Sequence, residues 1–71
     1  MTTQPLDIEI HRKGRREASF KANADPANPK ELRDILTGWL AANKWGRGKW
    51  SDFHMVVRAA GSSKQLAKVR A

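Results

Sequence analysis

Cysteine is absent from this chain, which removes disulfide stapling and thiolate metal sites and fits a reducing, cytoplasmic setting. Long apolar runs are absent too, so no segment approaches the ~20 residues that a membrane-spanning helix needs. The amino-terminal Met1-Thr2-Thr3-Gln4-Pro5 has neither the basic start nor the apolar run of a signal peptide. Histidine is scarce: His11 and His54 are the only two, with no cysteine or clustered carboxylates beside them. Metal-ligand spacing is therefore missing, and neither a metal nor a cofactor is expected. Length is limiting as well. Seventy-one residues make one domain, and a domain of this size buries only about 60% of its unfolded surface, which leaves a narrow stability margin.

Acid is also in short supply, and its distribution is uneven. Fourteen Lys and Arg face seven Asp and Glu, a net charge of +7, which raises a potential that attracts nucleic acid, acidic proteins or anionic lipid. All seven acids lie at or before Asp52, whereas the remainder carries Arg58, Lys64, Lys68 and Arg70. The carboxyl-terminal end is uniformly positive.

What the chain does have is one strongly periodic stretch. Leu32, Ile35, Leu36, Trp39 and Leu40 recur at i, i+3, i+4, i+7 and i+8, one apolar stripe along a helix. Asn28 suits the N-cap, Pro29 the first helical position, and Glu31 completes a capping-box pattern. The helix is expected to run from there toward Trp45. Its outward face, with Lys30, Glu31, Arg33 and Asp34, is charge-balanced, so it reads as scaffold and not as a recognition helix.

Around the helix the period changes to two. Leu6, Ile8 and Ile10 alternate with Asp7, Glu9 and His11, and Ala18, Phe20 and Ala22 repeat the pattern, as half-buried strands do. Between them Arg12-Lys13-Gly14-Arg15-Arg16 makes the basic tip of a β-hairpin. Ile8 opposite Ala18 leaves a three-residue loop with Gly14 at the position that wants φ > 0, but it sets Glu9 against Glu17. Ile8 opposite Phe20 pairs His11 with Glu17 instead and places Gly14 less well. The first register is the expected one. Asn23-Ala24-Asp25-Pro26-Ala27 reads as a linker, and Phe53 to Ala59 as a third strand with Phe53, Met55, Val57 and Ala59 facing inward.

These elements make an α+β fold, a small two-layer ββαβ domain over residues 1–61 whose three-stranded antiparallel sheet, in order 2-1-3, packs on one helix. Residues 62–71 are either a basic C-terminal tail or a short helix capped by Ser62 or Ser63. The expected core is Leu6, Ile8, Ile10, Phe20, Leu32, Ile35, Leu36, Trp39, Leu40, Phe53, Met55 and Val57.

Three regions carry candidate contact residues. The hairpin tip offers Arg12, Lys13, Arg15 and Arg16, whose guanidinium forks suit phosphate or a guanine edge. The post-helix loop Lys44-Trp45-Gly46-Arg47-Gly48-Lys49-Trp50 interleaves cations with tryptophans that can stack on unpaired bases or anchor a protein interface. Continued at about 100° per residue, Trp45 falls away from the apolar stripe. The alternative is a satellite cluster of both tryptophans over the sheet edge. Lys64, Lys68 and Arg70 extend the positive surface through the tail. Strict alternation sends Trp50, His54, Val56 and Arg58 outward together, a composition that resembles the sheet platforms on which RNA bases stack. An outward Val56 suggests a cover over that face, from Leu66 and Val69 or from a second copy.

Arg47-Gly48-Lys49 also resembles the Arg-Gly-Arg core of AT-hook peptides, which implies minor-groove contact; Lys49 replaces the second arginine and the usual flanking proline is missing. Gly48-Lys49 is not a phosphate-binding P-loop, because Trp50 stands where Ser or Thr is needed. No nucleophile, base or metal grouping directs a catalytic reading, so a binding module and not an enzyme is expected. The leading expectation is a nucleic-acid-binding module for DNA or RNA. The alternative is a small phage-type or regulatory protein, an inhibitor for example, docking on an acidic protein partner. Anionic membrane surfaces are set aside, since the helix spends its stripe on the core and the tail offers only Leu66 and Val69. Exposed sheet edges leave a homodimer open.

Overall fold

The structure, a computed structural model, describes residues 3–71; Met1 and Thr2, which opened the amino-terminal reading, lie outside the described residues. The helix, α1, spans Pro29–Ala42. Asn28 caps it, its Oδ1 accepting from the Glu31 N–H at 3.2 Å, which satisfies one of the donors a helix start leaves free. The other half of the capping box goes elsewhere: Glu31 Oε1 accepts from the Asp25 N–H at 3.4 Å, tying the incoming loop to the first turn. Leu32, Leu36 and Leu40 are buried, and Ile35 and Trp39 pack half-buried at the margin of the core.

The helix ends at Ala42 and not near Trp45. Lys44 takes φ +62°, its N–H bonds to the Ala41 carbonyl at 3.1 Å, and the Trp45 N–H reaches back to the Leu40 carbonyl at 2.9 Å. This pair of bonds is the Schellman cap. The left-handed residue reverses the chain, so Trp45 does not continue the helical rotation that would have carried it outward. It turns back onto the core instead, beside Phe53.

Four strands make one antiparallel sheet in the order β2-β1-β3-β4. β1 is Gln4–Arg12, β2 Arg15–Ala24, β3 Phe53–Ala59 and β4 Gln65–Arg70. The expected order 2-1-3 is present within it, and the correction is the fourth strand: the segment expected as tail or short helix pairs along β3, with Val69 opposite Met55 and Ala67 opposite Val57. β2 also runs on to Ala24, through part of the expected linker, and Ala24 is fully buried.

The hairpin register is the second of the two considered, with Ile8 opposite Phe20 and Glu9 opposite Ser19. It avoids the Glu9–Glu17 clash. A bulge then leaves Glu17 without a partner, so that His11 faces Arg16 and Arg12 faces Arg15. The extra residue shortens the loop to Lys13-Gly14, at φ +50° and +83°. Positive φ at both central positions is the type I′ turn that matches strand twist, and Gly14 meets that demand at the second.

Leu6, Ile8, Ile10, Met55, Val57 and Val69 face α1 across the sheet and form one core with Leu32, Leu36, Leu40 and Phe53. Phe20, Ile35 and Trp39, expected inside, are only partly buried against it. Before β3 the chain winds a short 3-10 helix, Arg47–Asp52.

Candidate functional site

One end of the sheet collects the hairpin tip, the 3-10 segment and the carboxyl end of β4. Arg12 pairs with Phe53 and Arg15 across the strands, and the Lys13 N–H reaches the Asp52 carbonyl at 3.4 Å. Arg70 lies opposite His54, one position along β3 from Phe53. Arg12, Lys13, Arg15, Arg16, Arg47, Lys49 and Arg70 therefore share this end with two acids, Glu17 and Asp52. Both acids are engaged, Glu17 at 4.0 Å from Arg12 Nε and Asp52 at 3.8 Å from Lys13 Nζ. Among the described residues, Arg15, Arg47, Lys49 and Arg70 have no carboxylate within 4.0 Å. A surface built this way holds uncompensated positive charge on a two-stranded ribbon and a turn of helix.

The tryptophans form a satellite cluster. Trp45 meets the Phe53 ring edge-on at 5.0 Å and carries the Arg12 guanidinium over its ring at 5.0 Å. The Trp50 indole N–H donates to the Trp45 carbonyl at 3.0 Å, and the Arg47 guanidinium sits 5.6 Å from the Trp50 ring. Both are half-buried. Their rings position Arg12 and Arg47, through cation–π contacts, and are not free stacking surfaces. Trp50 belongs to the 3-10 helix and packs toward the core, so it does not share the outer sheet face with His54 and Arg58. Arg47-Gly48-Lys49, which resembles an AT-hook core, opens that same 3-10 helix.

The helix covers one side of the sheet; the other side is uncovered among the described residues. Leu66 and Val69 do not lie across it: Val69 turns inward to the core, and Leu66 is the unpaired bulge residue between Ala67 and Gln65. The face is a grid of cross-strand rows. Lys21, Asp7 and Arg58 form one, Ser19, Glu9, Val56 and Lys68 the next, and Arg16, His11, His54 and Arg70 the third. His11 and His54 stack with ring centroids 5.1 Å apart and planes 5° from parallel. Val56 stays 7% exposed on this open side, flanked by the long side chains of Glu9, Arg58 and Lys68.

Glu9 is the hub of the face. Its carboxylate accepts from Arg58 Nη1 at 2.8 Å and from His11 Nε2 at 3.1 Å, with Arg16 Nη1 at 3.8 Å. The Arg58 hydrogen bond first, then that of His11, hold its pKa below the ordinary glutamate value. His54 is pushed the other way from a charged state: desolvation, then the nearby positive charge of Lys68, His11 and Arg70, lower its pKa from 6.5. Asp7 is also occupied, accepting from the Gly61 N–H at 3.2 Å.

At the far end, a hollow of about 690 Å³ opens between Lys21, Arg58 and the Gly61-Ser62-Ser63 loop. Lys64 follows this loop, its N–H held by Ser62 Oγ at 3.1 Å, so Arg58 and Lys64 stand apart from the basic end. Lys44 is exposed at the helix cap. Sequence reasoning missed Glu9, Asp7, Lys21 and the contact between the two histidines. The odd-numbered alternation of β1 placed Glu9 and His11 on one face, but the pairing of His11 with His54 exists only in the β1–β3 register. The described residues contain no cluster of three or more His, Cys, Asp or Glu able to hold a metal ion, and none of their helices is long and apolar enough to cross a membrane. Comparison with known protein families, with curated proteins and with solved structures finds no match for this chain.

Proposed function

We propose that this protein is a small nucleic-acid-binding module whose affinity comes chiefly from phosphate contacts at the basic end of the sheet. The observation that carries the reading is the convergence there of Arg12, Lys13, Arg15, Arg16, Arg47, Lys49 and Arg70, contributed by the hairpin, the 3-10 helix and β4. The local acids are already paired with Arg12 and Lys13, so added anions meet net positive charge. Arg12 and Arg47 are pre-positioned by Trp45 and Trp50, which reduces the side-chain entropy lost on binding phosphate. Protein docking has less to work with. Interface hot spots are buried aromatic or apolar anchors, and Leu66 is the one exposed large hydrophobic side chain among the described residues.

Titration of labelled duplex DNA and of single-stranded DNA and RNA over a salt series tests this. Engagement of about five phosphates gives a slope of log K against log salt of about −4 to −5 on duplex, and about −3.5 on single strands. Alanine at Arg15 and Arg47 together reduces the slope by one to two. Flat salt dependence, or capture of a protein partner from nuclease-treated lysate with no measurable affinity for any nucleic acid, refutes the proposal in favour of an acidic protein partner.

A further inference from the structure

Resting on the nucleic-acid reading above, we infer that the open sheet face is the site for an unpaired strand, with the stacked His11–His54 pair as the platform for a base and Lys68 and Arg70 as its phosphate contacts. Among the described residues the face has no internal occupant, since α1 lies on the opposite side and β4 joins the sheet edge-on instead of folding over it. Its charge on the β4 side is complementary to a phosphate chain, while Asp7, bonded to the Gly61 N–H, is the carboxylate on the far row. Among the described residues, Lys21, Lys68 and Arg70 on the face have no carboxylate within 4.0 Å, while Glu9 is taken up by Arg58, Arg16 and His11.

The planar element is what selects an unpaired strand. Two imidazoles lie 5° from parallel on neighbouring strands, and a nucleobase extends such a stack as a third ring. A base in a duplex has both faces covered by its neighbours and cannot do so. Arg70 faces His54 across the β3–β4 pairing and Lys68 faces Val56, two residues along, which puts two cations on β4 beside the platform, one strand over. Arg58, about 13 Å along β3 from His54 at strand rise, is paired with Glu9, so the cations left for phosphate are Lys68 and Arg70 beside the platform and Lys21 on β2, in the row of Arg58. The hollow beyond Arg58 is lined by Asp7 and Glu9 as well as Lys21, Ser62 and Ser63, so the stacked pair and β4, not the hollow, hold the strand. Stacking of this kind is tolerant of sequence, because every base has a π-face.

Fluorescence anisotropy with labelled oligo(dT), oligo(U) and a duplex of equal length tests the inference, using His11→Ala/His54→Ala, Lys68→Ala/Arg70→Ala and His54→Phe. The single strands bind more tightly than the duplex. Removing both histidines weakens single-strand binding about fivefold or more, the lower end of what one base–aromatic stack contributes, and changes duplex binding less than about twofold. His54→Phe retains or improves single-strand affinity, which separates loss of stacking from loss of folding; circular dichroism verifies each variant. Duplex preference, or single-strand binding unchanged in the double histidine variant, overturns the inference while leaving the basic-end reading intact. Absence of binding to all three probes overturns both. A dimer in light scattering that His54→Ala dissociates makes a second copy the occupant of the face and also overturns it.

Discussion

Val69 and Leu66 offer the sharpest test of how the carboxyl-terminal segment folds. As a helix, the two would lie three residues apart on one face and share whatever burial the segment has. As strand β4 they part company: Val69 is buried opposite Met55, and Leu66 sits at a bulge, 40% exposed. Val69→Ala deletes the equivalent of two buried methylenes at about 0.8 kcal/mol each, and the cavity left behind brings the loss to about 1.5–2 kcal/mol. Leu66→Ala stays within about 0.5 kcal/mol of the parent. A chain of this size has only about 4–10 kcal/mol of stability in total, so the Val69 change lowers the melting midpoint by about 6–15 °C. Urea unfolding followed by circular dichroism measures both, with the slope unchanged so that the midpoints report stability alone. Equal losses at the two positions, or no loss at Val69, refute the strand assignment.

Other consequences follow from single residues. Gly14→Ala forces a Cβ onto a position at φ +83° and costs about 1–2 kcal/mol, whereas Lys44→Gly relieves the left-handed strain at φ +62° and gains about 0.5–1 kcal/mol; both appear in the same urea assay. Glu9 has a depressed native pKa, so it contributes stability above its unfolded value of about 4.5, and this is lost as pH falls from there toward the native value. Glu9→Gln therefore flattens the fall of the melting midpoint on acidification, and a parallel pH profile in parent and variant would count against the Arg58–Glu9–His11 network. His54 acts in the same direction at higher pH. Its native pKa is below 6.5, so the unfolded chain takes up the proton first and stability drops as pH falls below about 6.5. An NMR titration of the His54 ring gives a midpoint under 6.5, and His54→Gln loses less stability than the parent between about pH 7.5 and 5.5; a midpoint at or above 6.5 contradicts the packing described for it.

The parts of the fold that were legible in the sequence are those set by local rules. The helix start at Asn28-Pro29 and the stripe through Leu32, Leu36 and Leu40 depend on capping and a 3.6-residue period, and β1 and β3 on a period of two. Those signals need no partner to be present. The basic hairpin tip was legible for the same reason, since charge and a glycine in a turn are written side by side.

Tertiary structure decided the rest, and the reasons are particular. The Glu17 bulge fixes the hairpin register, reconciling a type I′ turn at Gly14 with separation of Glu9 from Glu17, which neither unbulged pairing achieves. β4 is interrupted by the Leu66 bulge, and Leu66 and Val69 stand three residues apart, so its apolar spacing imitates a helix. The left-handed turn at Lys44 brings Trp45 back onto Phe53, against the helical rotation that would have exposed it. The sequence alone determined that this is a basic α+β domain around one scaffold helix. That His11 meets His54 on the outward face, and that β4 extends the sheet instead of covering that face, was settled only by strand pairing, because bulges and caps shift phase by single residues and a shift of one residue moves a side chain to the opposite face.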